Sequence, residues 1–373
     1  AAFVTAKDPL ILNFSKNVMS MVKESGSQAV NANLRNAIAF HEGLSAYRMT
    51  YVVDPKTPYA EISKEKIEVD FLQFPRQTLQ YKAGDCDDLS ILNCALLESV
   101  GIETAFITIP GHIFMAFSTG MEPDEARNRF LRPDDLIFRD DKAWIPVEVT
   151  EIDGGFLKAW ETGAKQWREH SARERAGFYP THESWKIYEP VGFSGTVTDI
   201  VLPEESMVVK AFLEELESFI DREISARVDE IRVEMKNRGE TPRTINKLGV
   251  LYARYGLLDR AEKEFSKIIV QQEHAPALIN LGNIYYLQKN MEKALEYYDR
   301  AYRQDPLNPT VLLCIARIHH KLENYGITRD IYTNLKEIAP DLASRFSYLD
   351  LKGEEAIRSA EISGVKETIL WEE

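Results

Sequence analysis

Two spacings of hydrophobic residues follow one another between residues 86 and 150, and they predict one helix and then three strands. In CDDLSILNCALLESV the apolar residues recur every three or four positions, and Gly101 stands where a helix C-cap glycine is expected. The short apolar runs IETAFITI, HIFMAF and WIPVEVT then predict strands. Pro110-Gly111 separates the first two strands, and a polar stretch at 119–142 predicts a loop before the third.

Helical spacing predominates on either side of this block. Residues 1–60 and 156–176 are predicted to be mainly helical, and 64–82 to be a connector. Pro and Gly residues at 189–203 indicate a linker, after which the pattern predicts a long charged amphipathic helix over 204–237.

The last third of the chain repeats itself. Leu248-Gly249 with Ala261 and Phe265 returns as Leu281-Gly282 with Ala294 and Tyr298, and a degenerate copy follows at Ile315-Ala316 with Thr328 and Tyr332. The small residues at 249, 282 and 316 are 33 and 34 positions apart. This period and pattern resemble the tetratricopeptide repeat (TPR), a helix-turn-helix unit whose small residues let its two helices approach closely.

These elements predict an α+β part followed by an all-α solenoid. We place an α+β domain with a helical N-terminal part at 1–188, and a linker with a long connecting helix at 189–240. Three TPR-like repeats are predicted at 241–343, and a capping helix and tail at 344–373.

Composition narrows the classes of function. The formal net charge of −14 argues against a nucleic-acid partner, because phosphates require a basic surface. No stretch approaches the roughly 18 apolar residues that a membrane span needs. The three cysteines include no CxxC pair, which argues against a disulfide framework or a structural zinc site and leaves a nucleophile as the chemistry to test.

Cys86 has the surroundings of a nucleophile. Asp85 is predicted to cap the helix, which places Cys86 in the first turn, where free N–H groups and the helix dipole favour a thiolate and an oxyanion. Asp87 and Asp88 oppose this by raising the thiol pKa, unless they point away or are paired. Cys94 and Cys314 lie among apolar neighbours and are predicted to be packing residues.

A thiol that attacks an amide needs a base, and the base needs a third group to orient it. His112 begins the second predicted strand, and Glu148 lies on the third. If these two strands pair, the side chains of His112 and Glu148 can meet near one end of the sheet.

The ordered set of motifs resembles the transglutaminase-like (papain-related) cysteine peptidase superfamily. Residues 75–79 match its P-x-x-T-L stretch, 84–88 its G-D-C-x-D, 101–105 its G-I-x-A strand with one extra residue, 111–112 its G-H, and 144–148 its W-x-x-x-D with Glu in place of Asp. The resemblance covers residues 30–180. It implies a papain-like fold in which Cys86 is the nucleophile, His112 the base and Glu148 the third member.

Two further residues are candidates for lining the site. Gln80 lies six residues before Cys86, the offset of the oxyanion-hole Gln in papain-like proteases, and Tyr59 resembles an upstream aromatic that lines the site. No cofactor is expected to be required. Calcium is an alternative, held by Asp85 and Asp87, because calcium prefers carboxylate oxygens; helix capping is the simpler role for Asp85.

The resulting hypothesis is hydrolysis of amide or peptide bonds in a protein or peptide substrate through an acyl-enzyme, with a protein partner bound at the TPR groove. Two alternatives stay open: transglutaminase-type acyl transfer that crosslinks proteins, and a silent scaffold in which only the repeats act. The chain opens Ala-Ala-Phe without an initiator Met, which we interpret as a processed or trimmed product. The resemblance favours a bacterial periplasm or cell envelope, with the cytoplasm as the alternative.

Overall fold

The structure is a computed structural model that describes residues 1–23, 25–27, 29–53, 72–192, 199–365 and 368–373. These residues form two compact units, Ala1–Ile224 and Ser225–Glu373. The first unit is mixed α/β, and the second is helical. Among the described residues, no helix carries an apolar stretch long enough to cross a bilayer.

Short helices and strands alternate along the first unit. Its first half contains α1 (Pro9–Val22), α2 (Ala32–Ala46), β1 (Thr50–Tyr51), α3 (Pro75–Tyr81), β2 (Ala83–Gly84), α4 (Cys86–Glu98), β3 (Thr104–Ile109) and β4 (His112–Ser118). Its second half contains α5 (Pro123–Arg129), a 3-10 turn (Pro133–Asp135), β5 (Ile137–Arg139), β6 (Lys142–Val147), α6 (Phe156–Ser171), β7 (Gly177–Pro180) and α7 (Thr181–Trp185). The helix α8 (Glu205–Arg238) contributes its residues up to Ile224.

The strands of the main sheet are antiparallel and lie in the order β5-β6-β4-β3-β7. The three predicted strands are its centre, and their pairing is confirmed. The predicted loop at 119–142 is wrong in part, because it contains α5 and β5, which are too short to show a period. The predicted connector at 64–82 is also wrong in part, because it contains the helix α3, which begins at Pro75. A separate parallel pair joins β1 to β2, with Tyr51 opposite Gly84.

The beginning of α8 packs on the first unit. Val208 and Phe212 are fully buried, and the Phe219 ring stacks on Trp160 with 6.1 Å between centroids. Apolar residues spaced four apart give this part of the helix a buried face. Residues 205–224 therefore belong to the first unit, whereas the sequence placed them in a connector.

The second unit is built from pairs of helices. They are α9 (Pro242–Arg254), α10 (Leu258–Gln271), α11 (Ala275–Leu287), α12 (Met291–Gln304), α13 (Pro309–Lys321) and α14 (Tyr325–Ile338), followed by α15 (Pro340–Arg345), a 3-10 turn (Ser347–Asp350) and α16 (Gly353–Ile362). A Cβ at Gly249 would clash with the Phe265 ring, and one at Gly282 with the Tyr298 ring. Both observations support the predicted close approach of the two helices within each repeat.

Candidate active site

The N-terminus of α4 holds Cys86. The Oδ1 atom of Asp85 accepts hydrogen bonds from the backbone N–H groups of Asp87 at 3.2 Å and Asp88 at 3.3 Å, so the predicted cap is confirmed. Gly84 makes this geometry possible, because a Cβ there would lie 2.7 Å from the Cβ of Asp88 and 3.1 Å from a methyl of Thr78. The G-D-C sequence is therefore a close-packed entry into the helix.

His112 and Glu148 meet across the sheet. The His112 Nε2 atom lies 2.7 Å from Glu148 Oε2. Strand β4 pairs with β6 so that Met115 faces Val147. Continuing this register places Glu148 opposite residue 114, diagonal to His112 on the same face. Nε2 of the imidazole thus contacts Glu148, which leaves Nδ1 for a second partner.

The carboxylate of Glu148 is fixed at both oxygens. Its Oε1 atom accepts hydrogen bonds from the hydroxyl of Thr150 at 2.7 Å and from the backbone N–H of Thr150 at 3.2 Å. Burial raises the pKa of Glu148, but the hydrogen bonds from His112 and Thr150 and the attraction to His112 outweigh burial and leave this pKa lowered. Glu148 is therefore anionic at neutral pH, as a group that stabilises an imidazolium must be.

The thiol of Cys86 lies in an acidic environment. Burial raises its pKa most, the charge of Asp85 raises it further, the backbone N–H of Ile113 lowers it by donating to the sulfur, and Asp87 adds a smaller increase. The net result is a pKa of about 12 for Cys86. The favourable dipole expected at this helix end is outweighed, so at neutral pH Cys86 is a thiol that needs a base.

The sulfur of Cys86 lies near the start of β4. The N–H of Ile113 that donates to the sulfur belongs to the residue that follows His112. Among the described residues, no hydrogen bond joins the thiol to the imidazole. Catalytic hydrogen bonds are often open in a site without substrate and close when it binds.

Tyr51 is a residue of this site that sequence reasoning missed. Pairing of β1 with β2 places it opposite Gly84, two residues before Cys86. Partial burial raises the pKa of Tyr51, and the nearby carboxylates of Asp85 and Glu148 raise it further. Its hydroxyl therefore stays protonated at neutral pH. Only the non-local strand pair reveals it, and two-residue strands have no sequence period.

Gly163 of α6 is a second missed residue. A Cβ there would lie 2.9 Å from the carbonyl oxygen of Pro146 and 3.0 Å from the backbone nitrogen of Glu148. The backbone of Glu148 also donates to the carbonyl oxygen of Ala159 in the same helix at 3.0 Å. Helix α6 thus positions the backbone that carries the carboxylate, and a glycine within a predicted helix was the available signal.

The remaining residues considered in the sequence analysis have different outcomes. Gln80 lies in the last turn of α3 and is half-buried; within the described part of the chain it makes no hydrogen bond to Cys86, His112 or Glu148. Tyr59 lies outside the described residues. Cys94 is fully buried and Cys314 nearly so, which confirms both as packing residues.

The carboxylates of Asp85, Asp87 and Asp88 form the acidic cluster of this site. One oxygen of each lies within 4.8 Å of the others. Asp85 caps α4, and Asp88 Oδ1 accepts from the backbone N–H of Gln73 at 2.7 Å. Carboxylate oxygens are the ligands that calcium prefers. A calcium ion held here stays a prediction.

Comparison with known proteins identifies one part of the chain. Residues 275–308 match the family model of the tetratricopeptide repeat, and this range contains α11 and α12. No curated protein matches the chain. The second unit therefore contains a TPR, a kind of module that binds proteins.

Proposed function

We propose that the first unit is a cysteine-dependent hydrolase of amide bonds of the transglutaminase-like type, and that its TPR unit brings a protein to it. The observation that carries this proposal is the 2.7 Å contact between His112 Nε2 and Glu148 Oε2, beside a helix that opens with Cys86. Residues 36 positions apart pair here through Nε2, and we assign the other ring nitrogen, Nδ1, to the thiol.

The reaction follows from the charges of the three groups. Since Cys86 is a thiol at neutral pH, His112 removes its proton as the sulfur attacks the carbonyl carbon. The charge of Glu148 stabilises the resulting imidazolium. The tetrahedral oxyanion is held by N–H groups at the start of α4. His112 then protonates the leaving amine, the C–N bond breaks, and water attacks the thioester with His112 as base, which returns the thiol and releases the acid.

Two other functions compete with hydrolysis. Acyl transfer uses the same residues, and an amine such as Lys attacks the thioester in place of water. A scaffold without catalysis is favoured by the raised pKa of Cys86 together with the TPR match. Experiment must first decide whether the Cys86 thiol is reactive or inert. It must then decide whether water or an amine accepts the acyl group.

To test whether the thiol is reactive, we would measure the rate at which iodoacetamide alkylates each cysteine between pH 6 and 9, by mass spectrometry. We expect Cys86 to react at least about tenfold faster at pH 7.5 in the wild type than in His112→Ala, because proton removal by a positioned base contributes about 10²-fold or more. Cys94 provides the internal reference, since it is fully buried in both proteins.

Equal rates in the two proteins would show that His112 does not act on the thiol, and the scaffold function would then replace the hydrolase. If the rates differ, the acceptor is tested with dimethylcasein. Incorporation of dansylcadaverine identifies a transferase, and release of casein fragments identifies a hydrolase.

A further inference from the structure

The last residues of the chain lie on the first helices of the repeats. Asn246 on α9, Asn280 and Asn283 on α11, and Arg317 on α13 form what we call the amide face, and all four are buried. Each directs its side chain to the backbone of residues 368–373, which we call the tail segment. Buried polar side chains need partners, and here the partner is another stretch of backbone.

The side chains of the amide face donate hydrogen bonds to every second carbonyl of the tail segment. Arg317 donates to the carbonyl oxygen of Thr368 at 2.6 Å, and Asn283 donates to that of Leu370 at 2.8 Å. The carbonyl oxygen of Glu372 accepts from Asn246 and from Asn280, each at 2.7 Å. Alternate carbonyls on one side are the pattern of an extended strand, whose edge is recognised without regard to side chains.

Asn280 is the centre of this contact. Its Nδ2 donates to the Glu372 carbonyl, and its Oδ1 accepts from the Glu372 backbone N–H at 2.9 Å, so one amide satisfies a whole peptide unit. A further hydrogen bond of 3.0 Å to Asn246 Oδ1 fixes its orientation. Asn246 lies three residues before Gly249, and Asn280 lies two residues before Gly282, so two neighbouring repeats supply these amides from adjacent rather than equivalent positions.

Side chains add selectivity to this backbone contact. Leu370 packs against the apolar core around Leu312 and Phe346. Arg254 contacts the carboxylate of Glu373 at 2.7 Å, where both groups are about half exposed and the pair contributes little. The segment that fits is therefore extended, with an apolar residue at the position of Leu370 and acidic residues after it.

We propose that the tail segment is an intramolecular ligand that closes the amide face, and that the protein partner of this TPR unit presents an extended peptide of the same chemistry, apolar and then acidic, which must displace it. This inference rests on the protein-binding half of the proposed function and is independent of catalysis. A tethered segment acts at an effective concentration of about 1 mM, so an external peptide of equal affinity binds the intact chain only weakly.

The test measures binding of a fluorescein-labelled, C-terminally amidated peptide of residues 364–373 by fluorescence polarisation, on chains that carry Cys86→Ala so that the peptide stays intact. The intact chain is compared with a chain that ends at residue 365. We expect the shortened chain to bind at least about tenfold more tightly, as loss of a tethered competitor predicts. Asn280→Ala in the shortened chain should weaken binding by about tenfold or more, whereas the exposed Asn334→Ala should leave it unchanged.

Two further measurements keep the outcome decisive if the shortened chain fails to fold. Glu372→Pro removes the N–H that Asn280 accepts and should open the face in the full-length chain. Hydrogen exchange of the intact chain should show protection of the Glu372 amide that Asn280→Ala removes.

Equal affinity in the intact and shortened chains, or an unprotected Glu372 amide, would show that the tail segment does not close the face. A folded shortened chain that binds no peptide would instead remove the proposed peptide-binding role of the repeats. A dimeric intact chain that becomes monomeric on shortening would overturn the intramolecular contact in favour of exchange between copies.

Discussion

The candidate active site and the amide face both bury polar side chains, and they do so by opposite means. On the amide face, Asn280 donates to and accepts from one peptide unit, so its charge-free groups are satisfied. At the candidate active site, Cys86 is buried beside carboxylates, and burial first and then the charges of Asp85 and Asp87 raise its pKa. The amide face is built for a stable contact with backbone. The candidate active site instead holds the proton on the Cys86 sulfur at neutral pH.

The largest effect we expect is the loss of acylation when the sulfur is removed. Cys86→Ala should abolish the burst of p-nitrophenol from p-nitrophenyl acetate, since no other described group of the site can form a thioester. The control is Cys94→Ala, eight residues along the same helix, which should keep the burst while losing stability because it opens a cavity. A burst that survives in Cys86→Ala would move the nucleophile elsewhere.

Glu148→Gln should lower the rate of acylation by about 10- to 100-fold, less than the loss of about 10²- to 10⁴-fold expected for His112→Ala. The amide keeps an oxygen near the imidazole but loses the charge that stabilises its cation. Rates of p-nitrophenol release in the two variants give this comparison. An equal loss in both would mean that the carboxylate does more than stabilise the cation.

The pH dependence of the free energy of unfolding tests the same residue, Glu148. Because the folded pKa of Glu148 is lowered, its carboxylate stabilises the fold fully above its unfolded pKa of about 4.3, and this contribution is lost as the pH falls through the folded value. Glu148→Gln should therefore be destabilised at pH 7 in urea, and the difference from wild type should shrink below about pH 4. A constant difference across this range would contradict the lowered pKa.

The two regions also differ in how much of them could be predicted from sequence. Repeats that recur after 33 or 34 residues predict their own helices, and Gly282 and Tyr298 identify the contact inside one repeat. The His112–Glu148 pair was predictable as soon as two strands were, since register follows from alternation. Tyr51 was not, because its position depends on a strand pair 33 residues apart along the chain. The pKa of Cys86 was not either, since burial dominates it and a linear pattern does not show burial.

Overpacking of one repeat tests whether the amide face depends on the core beneath it. Gly282→Ala places a methyl group against the ring of Tyr298, which is 1% exposed and has no space to move. We expect a loss of about 1–3 kcal/mol in urea unfolding. The Tyr298 hydroxyl donates to Asn283 Oδ1 at 2.7 Å, so the amide that holds Leu370 should shift as well.

The matched control for this substitution is Gly326→Ala in α14, where no atom lies within 4 Å of the new methyl group. Alanine is the better helix former by up to about 1 kcal/mol, so this variant should be as stable as wild type or more so. If Gly282→Ala were also stabilised, the close contact with Tyr298 would not exist in solution.

The smallest effect we expect is an increase in the reactivity of Cys86 when its neighbouring charge is removed. Asp85→Asn keeps a capping oxygen of about equal strength. It removes the charge that, among the nearby charges, raises the pKa of Cys86 most. Each unit by which this pKa falls gives about ten times more thiolate at pH 8. The thiolate also becomes less nucleophilic as its pKa falls, with a Brønsted slope of about 0.4–0.5, so alkylation by iodoacetamide should accelerate about threefold per unit.

Asp87→Asn should give a smaller increase, because Asp87 raises the pKa less. An unchanged or slower rate in Asp85→Asn would mean that burial alone holds the proton on the sulfur, and that the acidic surroundings of Cys86 act on something other than its thiol.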